Sequence, residues 1–106
     1  MKIVYTFKAR KDLRSIYEYI AFTLLVPEAA KNTVEKIITT IRSLESMPER
    51  NPIYKEEPWY SFGVHFIPVR NYLVFYTINS EAQTIYISRI VFGGRDISHQ
   101  LDETIE

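Results

Sequence analysis

Leu13-Arg14-Ser15-Ile16-Tyr17-Glu18-Tyr19-Ile20-Ala21-Phe22-Thr23-Leu24-Leu25-Val26-Pro27-Glu28-Ala29-Ala30 is the stretch that decides how this chain folds. Leu13, Ile16, Tyr17, Ile20, Ala21 and Leu24 recur at spacings of three and four, which places them on one stripe of a helix. The spacing predicts a helix over residues 9–25. Pro27 cannot continue that helix but suits the first turn of another, where its missing N–H has no partner to lose. Glu28 behind it complements the positive end of the helix dipole. A second helix is therefore expected over 27–47, with Ala30, Val34, Ile37, Ile38, Ile41 and Leu44 as its stripe. So short a link makes the two helices an antiparallel hairpin. Two apolar stripes need a third surface to cover them.

That surface is a sheet. Upstream, residues 2–7 are β-branched or aromatic and read as a first strand. Downstream, residues 48–61 hold three Pro and no clean period, a loop in which Ile53, Tyr54 and Trp59 are the expected anchors. Strand patterns then follow over 63–69, 72–78 and 84–92. Arg70-Asn71 suits a tight turn, because Asn tolerates a left-handed backbone. Gly93-Gly94 ends the last strand, and Leu101 is the one evident anchor in a polar tail. The order β-α-α-β-β-β defines an α+β fold, with a helical hairpin on one face of a mostly antiparallel sheet.

The remaining numbers restrict function. The chain has 106 residues, expected to form one domain over 1–106 with a modest core. Thirteen basic and thirteen acidic side chains cancel, so net charge provides no argument for nucleic-acid binding, although a local patch remains possible. There is no Cys, which excludes disulfides, thiolate metal sites and thiol catalysis. The N-terminus is too charged for a signal peptide and no apolar run approaches a membrane span, so a cytoplasmic location and no membrane partner are expected.

Several pieces together resemble one family. They are Ala9-x-x-Asp12-Leu13-x-x-Ile16-x-x-Tyr19-Ile20, Pro27-Glu28-Ala29-Ala30, Leu44-x-x-x-Pro48, Arg70-Asn71-Tyr72-Leu73-Val74-Phe75-Tyr76, and Ile87-x-Arg89-Ile90-x-x-Gly93-x-Arg95-Asp96-Ile97. In this order, over about residues 2–101, they are similar to the RelE/ParE superfamily of toxins from type II toxin–antitoxin modules, also called plasmid stabilisation proteins. The resemblance implies a toxin neutralised by a cognate antitoxin, with no cofactor or metal, and contact with operator DNA only through the antitoxin. RelE-like members cut mRNA in the ribosomal A site with basic and Tyr side chains. ParE-like members poison DNA gyrase with no demonstrated chemistry of their own.

The residues favour the second branch. Cleaving RNA at its own 2′-OH needs a base, an acid and positive charge at the phosphate. Aligned on the RelE pattern, its two strand Lys fall at Val64 and Phe66 and its Arg falls at Leu73. Only Arg95 matches a basic position, and Arg stays protonated. The C-terminal Tyr of that pattern has no counterpart. His65, Arg95 and His99 are the candidate substitutes for catalysis, but His65 alternates with Val64 and Phe66 in a strand and so points the other way. A gyrase-directed toxin is the leading expectation. A ribosome-dependent mRNA endonuclease with a divergent site, and a non-toxic co-repressor that only binds antitoxin, are the alternatives.

The candidate target-binding residues are Arg70, Arg89, Arg95, Asp96 and His99, clustered around the strand ends and the glycine pair. Arg89 lies inside an apolar strand, where a charge needs a partner. Asp96 is the expected partner, with target contact as the other role. Tyr72 and Tyr76 are expected to pack in the core. Lys2, Lys8, Arg10, Lys11 and Arg14 surround a single acid, Asp12. They form either a solvated helix face or a contact for nucleic acid or an acidic antitoxin segment. Glu45, Glu49, Glu56 and Glu57 read as solubilising.

Overall fold

The computed structural model describes residues 1–93 and Leu101. Strand β1 spans Lys2–Tyr5, and helix α1 follows over Phe7–Glu18. The strand expected to reach Phe7 stops two residues early because Thr6 is the helix N-cap. Its Oγ1 accepts from the Ala9 amide at 3.1 Å and donates to the Ser88 carbonyl at 3.0 Å. One hydroxyl thus starts the helix and pins it to the far strand. Past Glu18 the helix widens into a π turn over Tyr19–Thr23, with the Leu24 amide bonded to the Tyr19 carbonyl at 3.0 Å. Leu25 then takes a left-handed backbone at φ 59°. Helix α2 spans Pro27–Arg42, with Pro27 in its first turn as expected. It ends earlier than 47: a 3-10 turn covers Ser43–Glu45, and Met47 is left-handed at φ 56°.

The remaining strands are β2 (His65–Val69), β3 (Tyr72–Asn79) and β4 (Thr84–Phe92). Their order in the sheet is β1-β4-β3-β2. β1 runs parallel to β4, and the other pairs are antiparallel. The turn between β2 and β3 is tight as expected, but its positive φ, 54°, falls on Arg70 and not on Asn71. The β3–β4 register shifts at Phe75/Tyr76, leaving Ser88 as the extra residue of β4.

The hairpin covers one face of the sheet. Ile16, Ile20, Ala30, Ile37, Ile41 and Leu44 pack there against Val74, Tyr76, Ile85, Ile87 and Ile90. Leu13, Val34 and Ile38, expected in this core, are half-buried at its margin. Tyr17 and Leu24, expected on the buried stripe, are 38% and 51% exposed. At Leu24 the reason is the π turn before it, which advances the chain by an extra residue and rotates the stripe outward. Phe22, Leu25 and Val26 are exposed at the same end.

The other face carries a second core. Trp59, Val64, Phe75, Val91 and Leu101 are buried together, with Tyr54, Phe66 and Leu73 against them. The loop after α2 builds it. Its segment around Ile53 pairs with the start of β2, through Tyr54 N to Val64 O at 2.8 Å and Phe66 N to Pro52 O at 3.0 Å. Tyr54 then sets its ring edge-on to Trp59, Phe66 and Phe75 at centroid distances of 6.0, 5.9 and 5.4 Å. Burial of the Tyr54 and Trp59 rings fixes this proline-rich loop to the sheet.

Candidate target-binding surface

Arg89 is held by α1. Its Nε donates to Asp12 Oδ2 at 2.7 Å and its Nη2 donates to Asp12 Oδ1 at 3.0 Å. The same Oδ2 accepts the Ile90 amide at 2.9 Å. The reason lies in the sheet. β1 accompanies β4 only as far as Ile87, so beyond it the outer edge of β4 has no strand beside it among the described residues. α1 lies along that edge instead, and the Asp12 carboxylate takes the place of a strand carbonyl. Arg89 is only 8% exposed. Among the described residues Arg89 pairs with Asp12; the expected partner, Asp96, lies outside them, as do Arg95 and His99. Asp12 was missed as a partner, although a lone acid in a basic helix and an Arg in an apolar strand were both legible.

Arg70 is exposed in the β2–β3 turn, above a groove of about 250 Å³ bordered also by Asn71, Tyr72, Phe92 and Gly93. The Gly93 amide bonds to the Asn71 carbonyl at 2.8 Å. A Cβ on Gly93 would sit 3.4 Å from both that oxygen and Leu73 Cγ, so the strand end and the turn are in close contact. Between α1 and the end of β4 lies a second groove of about 390 Å³, bordered by Asp12, Ser15, Tyr19, Tyr72 and Phe92.

His65 lies elsewhere. It stacks on Tyr76 at 5.3 Å, and its Nδ1 donates to the Asn51 carbonyl at 2.7 Å, since a carbonyl can only accept. As expected it faces away from Phe66, toward the hairpin side. His65 and Arg70 stand at opposite ends of β2, on the order of 15 Å apart along the backbone. They do not form one site.

The tyrosines behave as core. Tyr76 is fully buried, donating to the Pro48 carbonyl at 2.6 Å and accepting from Asn51 Nδ2 at 3.0 Å. Burial pushes its pKa up, the Asn51 bond opposes that, and Glu49 adds to it. Tyr72 is half-buried edge-on to Phe92, and burial raises its pKa, with Tyr19 adding to the rise. Neither phenol is a base near neutral pH. Among the described residues no three His, Asp or Glu side chains gather as metal ligands, and no helix is long and apolar enough to cross a membrane.

A helical hairpin packed on one face of a four-stranded mixed sheet is the architecture of the RelE/ParE toxins. The family model for the ParE toxin of the type II toxin–antitoxin system parDE matches residues 3–97, and the chain belongs to that family. Its fold is shared with three solved structures. The chromosomal ParDE system of P. aeruginosa aligns at 24% identity over 87% of this chain and 95% of that one, with a TM-score of 0.71. The toxin–antitoxin complex RelBE2 of Mycobacterium tuberculosis aligns at 22% over 86% and 88%, with a TM-score of 0.59. The isolated E. coli RelE toxin aligns at 14% over 99% and 98%, also at 0.59. At these identities the likeness is one of fold. No curated protein matches the sequence at a significant level.

Proposed function

We propose that this ParE-family toxin arrests growth by binding DNA gyrase, without chemistry of its own, and that a cognate antitoxin neutralises it. One observation carries the reading. Val64, Phe66 and Leu73, the positions where the RelE pattern has Lys, Lys and Arg, belong to a single apolar cluster with Trp59, Phe75, Val91 and Leu101. Where that pattern puts cations for a phosphate, this chain has a packed core. His65 does not replace them, because it is turned to the opposite face and tied to Asn51 and Tyr76. Binding then falls to the strand-end region, with Arg70 at the exposed turn and Arg95, Asp96 and His99 past Gly93. Arg89 acts there by position, through Asp12.

The antitoxin reading rests on the family and on surface left uncovered. The solved ParDE and RelBE2 structures are of toxin–antitoxin systems. Here Phe22, Leu24, Leu25 and Val26 are 70%, 51%, 77% and 45% exposed at one end of the hairpin. The groove between α1 and the end of β4, bordered by Tyr19, Tyr72 and Phe92, adjoins that apolar end. A disordered antitoxin segment that folds on binding suits this apolar end, as a helix laid on it.

Induction in cells tests the proposal. Gyrase poisoning gives filaments and a DNA-damage response. Rapid loss of protein synthesis would instead assign a ribosome-dependent endonuclease, and unchanged growth a non-toxic co-repressor. A short upstream reading frame whose product binds the purified chain supports the antitoxin, and failure to bind removes it.

A further inference from the structure

Phe7, Arg10, Lys11 and Arg14 follow one another at i, i+3, i+4 and i+7, so they share one face of α1. Together they line a groove of about 360 Å³. All four are exposed, Phe7 at 73%. Asp12 does not neutralise them. It is on the inward side of the helix, with its carboxylate occupied by Arg89 and the Ile90 amide. Among the described residues the one ion pair is Arg89 with Asp12, so the three cations of the stripe face solvent unpaired. In a chain whose charges cancel overall, this is a local concentration of positive charge beside a bare aromatic ring.

We propose that this face of α1 binds a nucleic-acid single strand, with Arg10, Lys11 and Arg14 on its phosphates and Phe7 stacked on a base. Charge alone would serve an acidic protein segment as well. The ring decides between them, because an exposed aromatic face with Arg10 and Lys11 one turn away and Arg14 two turns away on the same face is the arrangement that holds an unpaired base and its backbone together. The groove is large enough for a base and its sugar. The inference does not rest on the gyrase reading, since it concerns the free chain and naked nucleic acid, and the test below contains no gyrase.

The experiment is fluorescence anisotropy of a labelled single-stranded oligonucleotide of about 16 nucleotides, titrated with the full chain. Binding should weaken with salt at a log–log slope of about −2, the value for three phosphates on a single strand. Arg10→Ser/Lys11→Ser/Arg14→Ser together should flatten the slope and lower affinity at least about tenfold. Phe7→Leu should weaken binding by about 5- to 100-fold and leave the slope unchanged. Arg14→Lys should keep the slope. All these side chains are exposed, so far-UV circular dichroism and the thermal midpoint should not move. No binding at about 50 mM salt, or binding indifferent to the triple substitution, would overturn the proposal. So would an oligoglutamate peptide that binds as tightly as the oligonucleotide and is equally indifferent to Phe7→Leu, which would assign the face to an acidic protein segment.

Discussion

Arg89 and Asp12, 77 residues apart in the chain, meet in a two-point ion pair at 2.7 and 3.0 Å, and the same carboxylate holds the Ile90 amide at 2.9 Å. The pair fastens α1 to the half of β4 that β1 leaves uncovered. It also places an arginine in an apolar strand without leaving a buried charge unmatched.

Removing one partner should therefore be costly. Asp12→Ala takes a two-point carboxylate from a nearly buried guanidinium and the Ile90 acceptor from β4, and should lower unfolding free energy by about 1–3 kcal/mol in urea denaturation. Asp12→Leu/Arg89→Met should recover much of that loss, because the nearly buried charge is removed together with the carboxylate that matched it. A single Asp12→Ala variant as stable as the parent would contradict this role for the pair.

The buried phenols make the fold sensitive to alkali. Burial raises the pKa of Tyr76 above its ordinary 10.0, and Tyr5 and Tyr72 shift the same way. Raised folded values mean that the unfolded chain loses these protons first. The stabilisation is complete below the unfolded value and is lost as pH rises through the folded ones. Urea midpoints should be insensitive to these groups near neutrality and should fall above about pH 10. Tyr76→Phe should show a shallower fall. At neutral pH it should be about 1–3 kcal/mol less stable, because Pro48 and Asn51 lose their partner. Equal alkaline slopes in parent and variant would count against Tyr76 as a source of the effect.

Leu25 is left-handed at φ 59° and 77% exposed. A branched side chain there strains the backbone and buries little, so Leu25→Gly should leave the free protein equally or more stable, by up to about 1 kcal/mol. If the apolar end of the hairpin seats the antitoxin, the same substitution should weaken that complex in calorimetric titration. Unchanged antitoxin affinity would move the docking site elsewhere.

The fold was legible because periodicity survives wherever one face is buried. The Leu13-to-Leu24 stripe, Pro27 and the strand patterns over 63–69, 72–78 and 84–92 each record a local constraint. What the pattern did not carry was contact between distant elements. Thr6 reads as one more β-branched strand residue until its hydroxyl is seen spanning Ala9 and Ser88. Leu24 fits the helical stripe until the π turn rotates it outward. Arg89 was recognisable as needing a partner, but the Asp12 carboxylate, on another element 77 residues away, was not visible from spacing. The site was less legible than the fold. The loss of RelE-type cations could be read at Val64, Phe66 and Leu73, whereas their membership of one closed cluster depends on Trp59 and Leu101 folding onto them.

Toxicity should depend on a surface and not on a proton-transfer pair. His65→Ala, corrected for folded fraction, should leave growth arrest nearly intact. Arg70→Ala and Arg95→Ala should each weaken target binding by about 1–3 kcal/mol, the range for a lost interface arginine. Abolition of toxicity by His65→Ala in a folded protein would restore the case for catalysis.

The most direct test of the central claim is a DNA supercoiling reaction by purified gyrase, titrated with the pure protein and run beside a translation extract. The account predicts inhibited supercoiling with cleaved DNA accumulating, reversal by the antitoxin, and translation unaffected. Intact supercoiling together with cutting of ribosome-bound mRNA, lost in a single His or Arg variant, would contradict it.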